Sequence, residues 1–140
     1  LIQWNGRCLL FDPYLSDSLT KKYAGTEKPH VRMSELVIDP ALLEGIDLIT
    51  SSHNHTDHLD AETLLPLIKN NPSVKFIIPE ANRSFVSQRL GCSESFPVGI
   101  TENHPHQFGE FEFHAFPAAH NEIERDENGN PKCICLVVKL

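Results

Sequence analysis

The sequence predicts an α/β domain in which helices cover a mixed sheet, and three observations predict it. Apolar runs of strand length alternate with capped helical segments in the order β-β-α-β-α-β-α-β-β-β. The 140 residues are about one domain's length. The composition, 40% hydrophobic against 22% charged, is that of an ordinary globular chain.

Each element follows from local chemistry. The runs 1–4 and 8–11 flank Asn5-Gly6, a dipeptide that favours a tight hairpin turn, and the hairpin ends at Asp12-Pro13. Residues 16–35 lack a sustained apolar period and are expected as a long loop containing about one helical turn. Asp39-Pro40 is a helix start, an N-cap followed by Pro at the first helical position, for a short helix ending near Gly45. A buried strand follows over 47–51. Asp60 caps a helix carrying Leu64, Leu65 and Ile68, which Asn71-Pro72 stops. After a strand at 75–78, Pro79 opens a helix that runs to Leu90, with Gly91 as its C-terminal cap. Strands are expected at 96–98, at 111–116, where Phe111, Phe113 and Ala115 alternate with Glu112, His114 and Phe116, and at 132–140 beyond the 126–131 turn cluster.

Composition excludes several functions. A net charge of −7 disfavours nucleic acid, which requires a basic face. No apolar run approaches the roughly 20 residues of a membrane span. Cys8, Cys92, Cys133 and Cys135 form no C-x-x-C pair and are expected as reduced thiols of a cytoplasmic protein. Because the chain opens on Leu1 inside an apparent strand, residues 1–140 are expected to be one incomplete domain. Such a piece would expose a sheet edge and an apolar face, so self-association into a homo-oligomer is expected of it in isolation.

The chemistry lies in Ser52-His53-Asn54-His55-Thr56-Asp57-His58-Leu59-Asp60. An H-x-H-x-D-H string arises by chance in roughly one in a thousand chains of this composition. If 53–57 stay extended beyond the preceding strand, the period of two turns His53, His55 and Asp57 to one side, whereas a helix would oppose the first two. His58, of the other parity, joins them if the chain turns after Asp57. Imidazole and carboxylate suit Zn²⁺, Mn²⁺ or Fe. Four donors within six residues crowd a single ion, so two adjacent divalent metals are expected, His53 and His55 on one, Asp57 and His58 on the other. The first still lacks a histidine, and His120 is the best candidate because Pro117-Ala118-Ala119-His120 closes a strand. His114 within that strand, and His104 and His106 around Pro105 in a loop, are expected elsewhere.

With a later lone histidine and the earlier Asp12, this arrangement resembles the metallo-β-lactamase superfamily of metal-dependent hydrolases. Asp12-Pro13-Tyr14-Leu15, Ser52-His53-Asn54-His55 and Pro117-Ala118-Ala119-His120 are similar to its UlaG-like branch, which contains L-ascorbate-6-phosphate lactonase. S-H-N-H-x-D-H-L-D is also similar to N-acyl-phosphatidylethanolamine phospholipase D. The resemblance implies an αββα sandwich of which this chain supplies the first half. It implies His53, His55 and His120 on one metal, Asp57 and His58 on the other, and Asp12 as a buried structural carboxylate beside the site. The family's bridging Asp and last His would lie on strands beyond position 140.

The expected activity is hydrolysis of a small-molecule ester, lactone or phosphoester by metal-activated water, lactonase-like first, with Asp57 orienting that water or moving its proton. The alternatives are a phospholipase D-like phosphodiesterase, or a non-catalytic metal-binding piece if the chain is complete at 140. Lys28, His30 and Arg32, with Lys21 and Lys22, form a basic cluster in the long loop. It either takes an anionic group of the substrate or is simply a solvated charged loop.

Overall fold

Two sheets packed face to face, with helices on the outer face of the first, make up the computed structural model, which describes residues 1–119 and 121–140. β1 (Ile2–Trp4) and β2 (Arg7–Leu10) form the antiparallel hairpin. Its turn places Asn5 and Gly6 at φ 46° and 74°, the left-handed pair that suits a two-residue hairpin. β3 (Leu48–Thr50), β4 (Lys75–Pro79) and β5 (Val98–Ile100) then add in parallel, giving the order β1-β2-β3-β4-β5.

Parallel neighbours need crossovers, and here they carry α1 (Ser18–Tyr23), α2 (Ala61–Asn70) and α3 (Arg83–Leu90). Alternation within the strands feeds both faces of the sheet. Ile49, Phe76 and Ile78 pack on Leu64 and Leu67 of α2 and Val86 and Leu90 of α3. Leu9, Leu48, Ile77 and Ile100 turn the other way and meet Phe111, Phe113, Ala115 and Ile134. A parallel sheet covered on both faces explains why these strands are apolar runs rather than alternating ones.

The second sheet, in the order β6-β7-β8, is antiparallel and consists of β6 (His106–Phe108), β7 (Phe111–Pro117) and β8 (Ile134–Lys139). In β7, Phe111, Phe113 and Ala115 are buried, as their alternation requires, while Phe116 faces outward beside the equally exposed Val137. The single helix-covered sheet expected from element order is therefore β1–β5, and the last three strands form a layer of their own. The layers are helix, sheet and sheet, in keeping with the sandwich that the resemblance implies.

Several boundaries differ from expectation. Residues 104–106 were expected as a loop, yet His106 opens β6, because Gly109 at φ 59° turns the chain so that Phe108 pairs with Phe111. The helix expected over 39–45 is only a 3-10 turn, Pro40–Leu42, though Asp39 caps it as expected. The helix expected from Pro79 begins as a 3-10 turn, Glu80–Asn82, before α3. Strand 96–98 lies two residues later, as β5.

Contacts at both ends position the motif. Asp60 caps α2, accepting from the Thr63 N–H at 3.1 Å, and its other oxygen accepts from the Ser18 hydroxyl at 2.8 Å. Leu15 N donates to Thr63 Oγ1 at 2.9 Å, so the 12–18 segment is stitched to the start of α2. At the other end of the motif, Ile134 N donates to Ser52 O at 3.0 Å, joining the second sheet to the chain just past β3. Asp60→Ala is expected to lower stability by about 2 kcal/mol, since it removes both the cap and the Ser18 tie. Urea unfolding measures the loss, and an unchanged midpoint would contradict the role given to this carboxylate.

Candidate metal centre

β2 ends at the floor of the site, where Asp12 sits at φ 35°, a left-handed conformation that Asp tolerates better than most side chains. The turn aims its carboxylate at the end of β3. Oδ1 accepts from the Thr50 hydroxyl at 2.7 Å, and Asp12 N donates back to Thr50 Oγ1 at 3.2 Å. The Ser52 N–H lies 3.1 and 3.0 Å from the two oxygens, and the Ser52 hydroxyl donates to Oδ2. His58 Nδ1 lies 2.8 Å from the same Oδ2. Burial raises the Asp12 carboxyl pKa, but the hydrogen bonds from Ser52, Thr50 and His58 outweigh it and hold the group below its ordinary value.

A carboxylate only accepts, so the proton on the His58 ring sits on Nδ1 and the Nε2 lone pair faces away from Asp12. Carboxylate–imidazole pairs of this kind orient metal-ligating histidines. His58 Nε2 in turn lies 3.4 Å from Asp57 Oδ2. Two ligands on one tetrahedral ion, each at about 2.1 Å, stand about 3.4 Å apart, so this pair has the spacing of a shared cation. The His53 ring is 4.8 Å from that of His55 and 4.1 Å from that of His58, centroid to centroid. Buried His53 turns Nδ1 to Ser52 Oγ at 3.1 Å.

The segment is not extended through Asp57, which corrects the expectation from parity. His58 N and Leu59 N both donate to His55 O, at 3.1 and 2.8 Å, so the chain turns at His55. Entry into α2 at Ala61 forces that turn. It gathers the rings of His53, His55 and His58 through curvature rather than through strand alternation. Arg89, in the last turn of α3, braces the turn: its Nη1 donates to Asn54 O at 2.8 Å and Leu59 O at 3.2 Å. Burial pushes this guanidinium below its usual range.

His120 lies outside the described residues. Among the described residues, no group of three or more His, Cys, Asp and Glu side chains could hold a metal ion by itself, so the donors near the motif stand as adjoining pairs. Of the basic loop cluster, Arg32 is turned inward: it donates to Ser16 O, lies 3.5 Å from Asp17 Oδ1 and stacks its guanidinium 5.1 Å from the Tyr14 ring centre. His30 Nδ1 lies 3.4 Å from Thr20 Oγ1, and Lys28 is exposed. His114 Nε2 contacts Glu112 at 2.9 Å, and His106 Nε2 contacts Thr101 N at 3.2 Å.

Sequence reasoning missed Thr50 and Ser52 as partners of Asp12, and Arg89 as the brace. It also missed Glu122, Glu124 and Cys133, which line a small cavity with His53 and His55. Hydroxyl-bearing residues immediately before the histidines were the available signal for the first two. The others are brought in by tertiary structure, with no local pattern to reveal them.

Comparison with known proteins agrees with the geometry. The family model described as Beta-lactamase superfamily domain matches residues 7–139, and the chain belongs to that family. It is 34% identical over 89 residues to the mitochondrial N-acyl-phosphatidylethanolamine-hydrolyzing phospholipase D of Saccharomyces cerevisiae, a match covering 64% of this chain and 18% of that protein. It is 32% identical over 63 residues to a protein of Salmonella heidelberg named as a probable L-ascorbate-6-phosphate lactonase UlaG, covering 43% of this chain and 18% of that one. The matches thus span less than a fifth of these curated relatives' lengths. Among solved structures, CmlA, a diiron β-hydroxylase from Streptomyces venezuelae, superposes with a TM-score of 0.65 at 21% identity over 98% of this chain and 25% of that one, a likeness of fold.

Asp12→Asn keeps the side chain's size but removes the charge toward which Ser52, Thr50 and His58 converge. A loss of about 2–3 kcal/mol is expected, read as a lower urea midpoint at unchanged slope. A variant as stable as the parent would mean that the carboxylate does not hold this region together.

Proposed function

We propose that this member of the metallo-β-lactamase superfamily is a metal-dependent hydrolase that uses two divalent cations, Zn²⁺ or Mn²⁺, to split a small-molecule ester, lactone or phosphoester with water. The observation that carries the reading is the paired placement of His58 Nε2 and Asp57 Oδ2, 3.4 Å apart, with Asp12 fixing the His58 ring from behind. Imidazole and carboxylate donors fit such ions, and the His53 and His55 rings adjoin this pair. Residues 1–140 would supply one helix layer and both sheets of an αββα sandwich.

In this reading His53, His55 and His120 hold one cation, and Asp57 and His58 the other. Support for His120 comes from its neighbours. β7 ends at Pro117, Ala118 N donates to Cys133 O at 2.9 Å, and the adjacent Ile134 N donates to Ser52 O. Bound divalent cations lower the pKa of water toward neutrality and draw charge from the scissile oxygen. The chain's own residues do the rest. Asp12 accepts from His58 Nδ1 and so turns Nε2 outward, toward Asp57. Asp57, half exposed beside His55 on a cavity wall, orients the attacking water and accepts its proton.

The lactonase-like reaction is the first reading, supported by the UlaG match and by the motif and flanking residues already described. A phospholipase-type phosphodiesterase is the second. Its support is the longer match to the yeast phospholipase D and the segment in which Val31, Met33, Leu36 and Val37 all stand exposed. Cys8, Cys92, Cys133 and Cys135 are all free thiols, which supports a reducing, cytoplasmic setting.

His55→Ala and Asp57→Ala are each expected to lower hydrolysis by at least about a thousandfold in the intact protein, with the circular dichroism spectrum unchanged. Full turnover in both variants would refute the assignment. Chelation should abolish activity and added Zn²⁺ or Mn²⁺ restore it. Activity that survives exhaustive chelation, with metal analysis confirming removal, would exclude metal-dependent hydrolysis.

A further inference from the structure

We infer that the cavity between α1 and α3 is a substrate subsite for an organic oxyanion, with Lys22 contacting the anionic group and Tyr23 and Phe85 flanking an apolar body. The cavity has a volume of about 430 Å³, within the size range of small-molecule sites. It opens on His55 and Asp57, so a ligand lodged there has one end at the proposed reacting centre. The inference rests on the hydrolase reading only for that orientation.

The charges in the cavity select the ligand. Lys21 and Lys22 are adjacent on α1 but differ in their partners. Lys21 Nζ is paired with Glu62 at 2.7 Å, whereas Lys22 Nζ lies 3.3 Å from the neutral Thr56 hydroxyl and, among the described residues, makes no ion pair. An ammonium held one residue from Asp57, whose partners are the Thr56 hydroxyl and the Tyr23 ring 5.2 Å away, retains donors for a ligand oxygen. Arg89 adds a second positive charge to the wall, its guanidinium carbon 4.5 Å from the Phe85 ring centre. Against these two cations the wall carries one carboxylate, Asp57, so the lining stays net positive with or without a bound metal. The cavity therefore presents positive charge to its contents.

The walls select the rest of the ligand. Tyr23 and Phe85 are each more than a third exposed, at 37% and 38%, and both face the cavity. Aromatic rings left open beside a cation suit a planar or apolar group attached to an oxyanion, because covering them removes apolar area from water. A bare inorganic anion would leave these rings uncovered. Arg32, one of the loop cations that the sequence offered for this task, is engaged with Ser16, Asp17 and Tyr14.

Calorimetric titration of the metal-stripped intact protein with phenyl phosphate, benzoate, inorganic phosphate and benzyl alcohol tests the subsite without reference to turnover. Phenyl phosphate or benzoate should bind more tightly than inorganic phosphate or benzyl alcohol. Whichever of the two wins identifies the head group as phosphate or carboxylate, and either result supports the site. Lys22→Ala should raise the Kd of the better ligand about tenfold, Lys22→Arg should retain most of the affinity, and Phe85→Ala should weaken the aryl ligands while sparing inorganic phosphate. Equal affinity in the parent and Lys22→Ala, or inorganic phosphate binding as tightly as the aryl anions, would overturn the inference. Metal analysis of the parent separates the two claims. Anion binding by a protein that takes up no cations would sink the hydrolase reading and leave the subsite standing, whereas cation uptake with no anion binding would do the reverse.

Discussion

One carboxylate organises the histidine-bearing end of this domain. Asp12 leaves β2 in a left-handed conformation and receives donors from Thr50, Ser52 and His58, so the end of β3 and the turn before α2 are both fixed to a single charge at the end of β2. Its partners explain why it can remain ionised though largely buried: a charge taken from water must recover its hydration from fixed donors, and here a backbone N–H, two hydroxyls and an imidazole supply it. The consequence for function runs through His58. With Nδ1–H committed to Asp12, only Nε2 is available outward, and it points to the same place as the Asp57 oxygen.

The sandwich places that carboxylate and the histidines at the same edge. Strands β2 and β3 are parallel neighbours, so their C-terminal ends emerge together, Asp12 following one and Ser52 the other. The second sheet closes on the same edge, where Ile134 N reaches Ser52 O. Both faces of β1–β5 are buried in separate apolar clusters, which fixes the strand register, because a slip by one residue would exchange the two faces. The turn at His55 then hangs between a rigid strand and α2, with Arg89 holding its carbonyls from below. Little freedom is left in it, and rigid support is what a metal site requires, since donors must stay within tenths of an ångström of their places.

The sequence made legible what depends on short-range chemistry. The Asn5-Gly6 hairpin, the Asp60 cap, the left-handed Gly91 at φ 64° that ends α3, and the alternation of Phe111, Phe113 and Ala115 are all where local rules put them. The division into two sheets was not visible in element order, because strands of either sheet have the same local pattern and only pairing assigns them. β6 escaped notice because three residues are too few to show an alternation, and its existence depends on β7. At the site, composition identified the donor types, but strand parity was the wrong reason for their convergence. Parity assumes an extended chain, and the need to start α2 at Ala61 bends it first. Arg32 shows the same limit: the sequence left it open between a substrate contact and a solvated charge, and only the fold shows the carbonyl and carboxylate it meets.

The two flanks of the motif differ in charge, and this asymmetry bears on how a substrate would lie. On one side of His55 the cavity wall carries Lys22 and Arg89; on the side shared with His53 it carries Glu122 and Glu124, the latter 3.6 Å from Lys132 Nζ. In the proposed site two divalent cations would bring four positive charges, of which Asp12 and Asp57 would offset only two. An anionic ligand is therefore favoured near the centre as a whole. Between the flanks, however, the interaction energy changes sign: an oxyanion is attracted toward Lys22 and repelled by the glutamates, by roughly 1 to 4 kcal/mol per contact at about 4 Å, depending on how far water penetrates. A substrate that carries its charge at one end would enter with that end toward α1 and α3. The bond to be broken would then lie over His55 and Asp57, and a neutral leaving portion would face the acidic side. Orientation of this kind requires no movement of the protein, only a fixed dipole across a rigid turn.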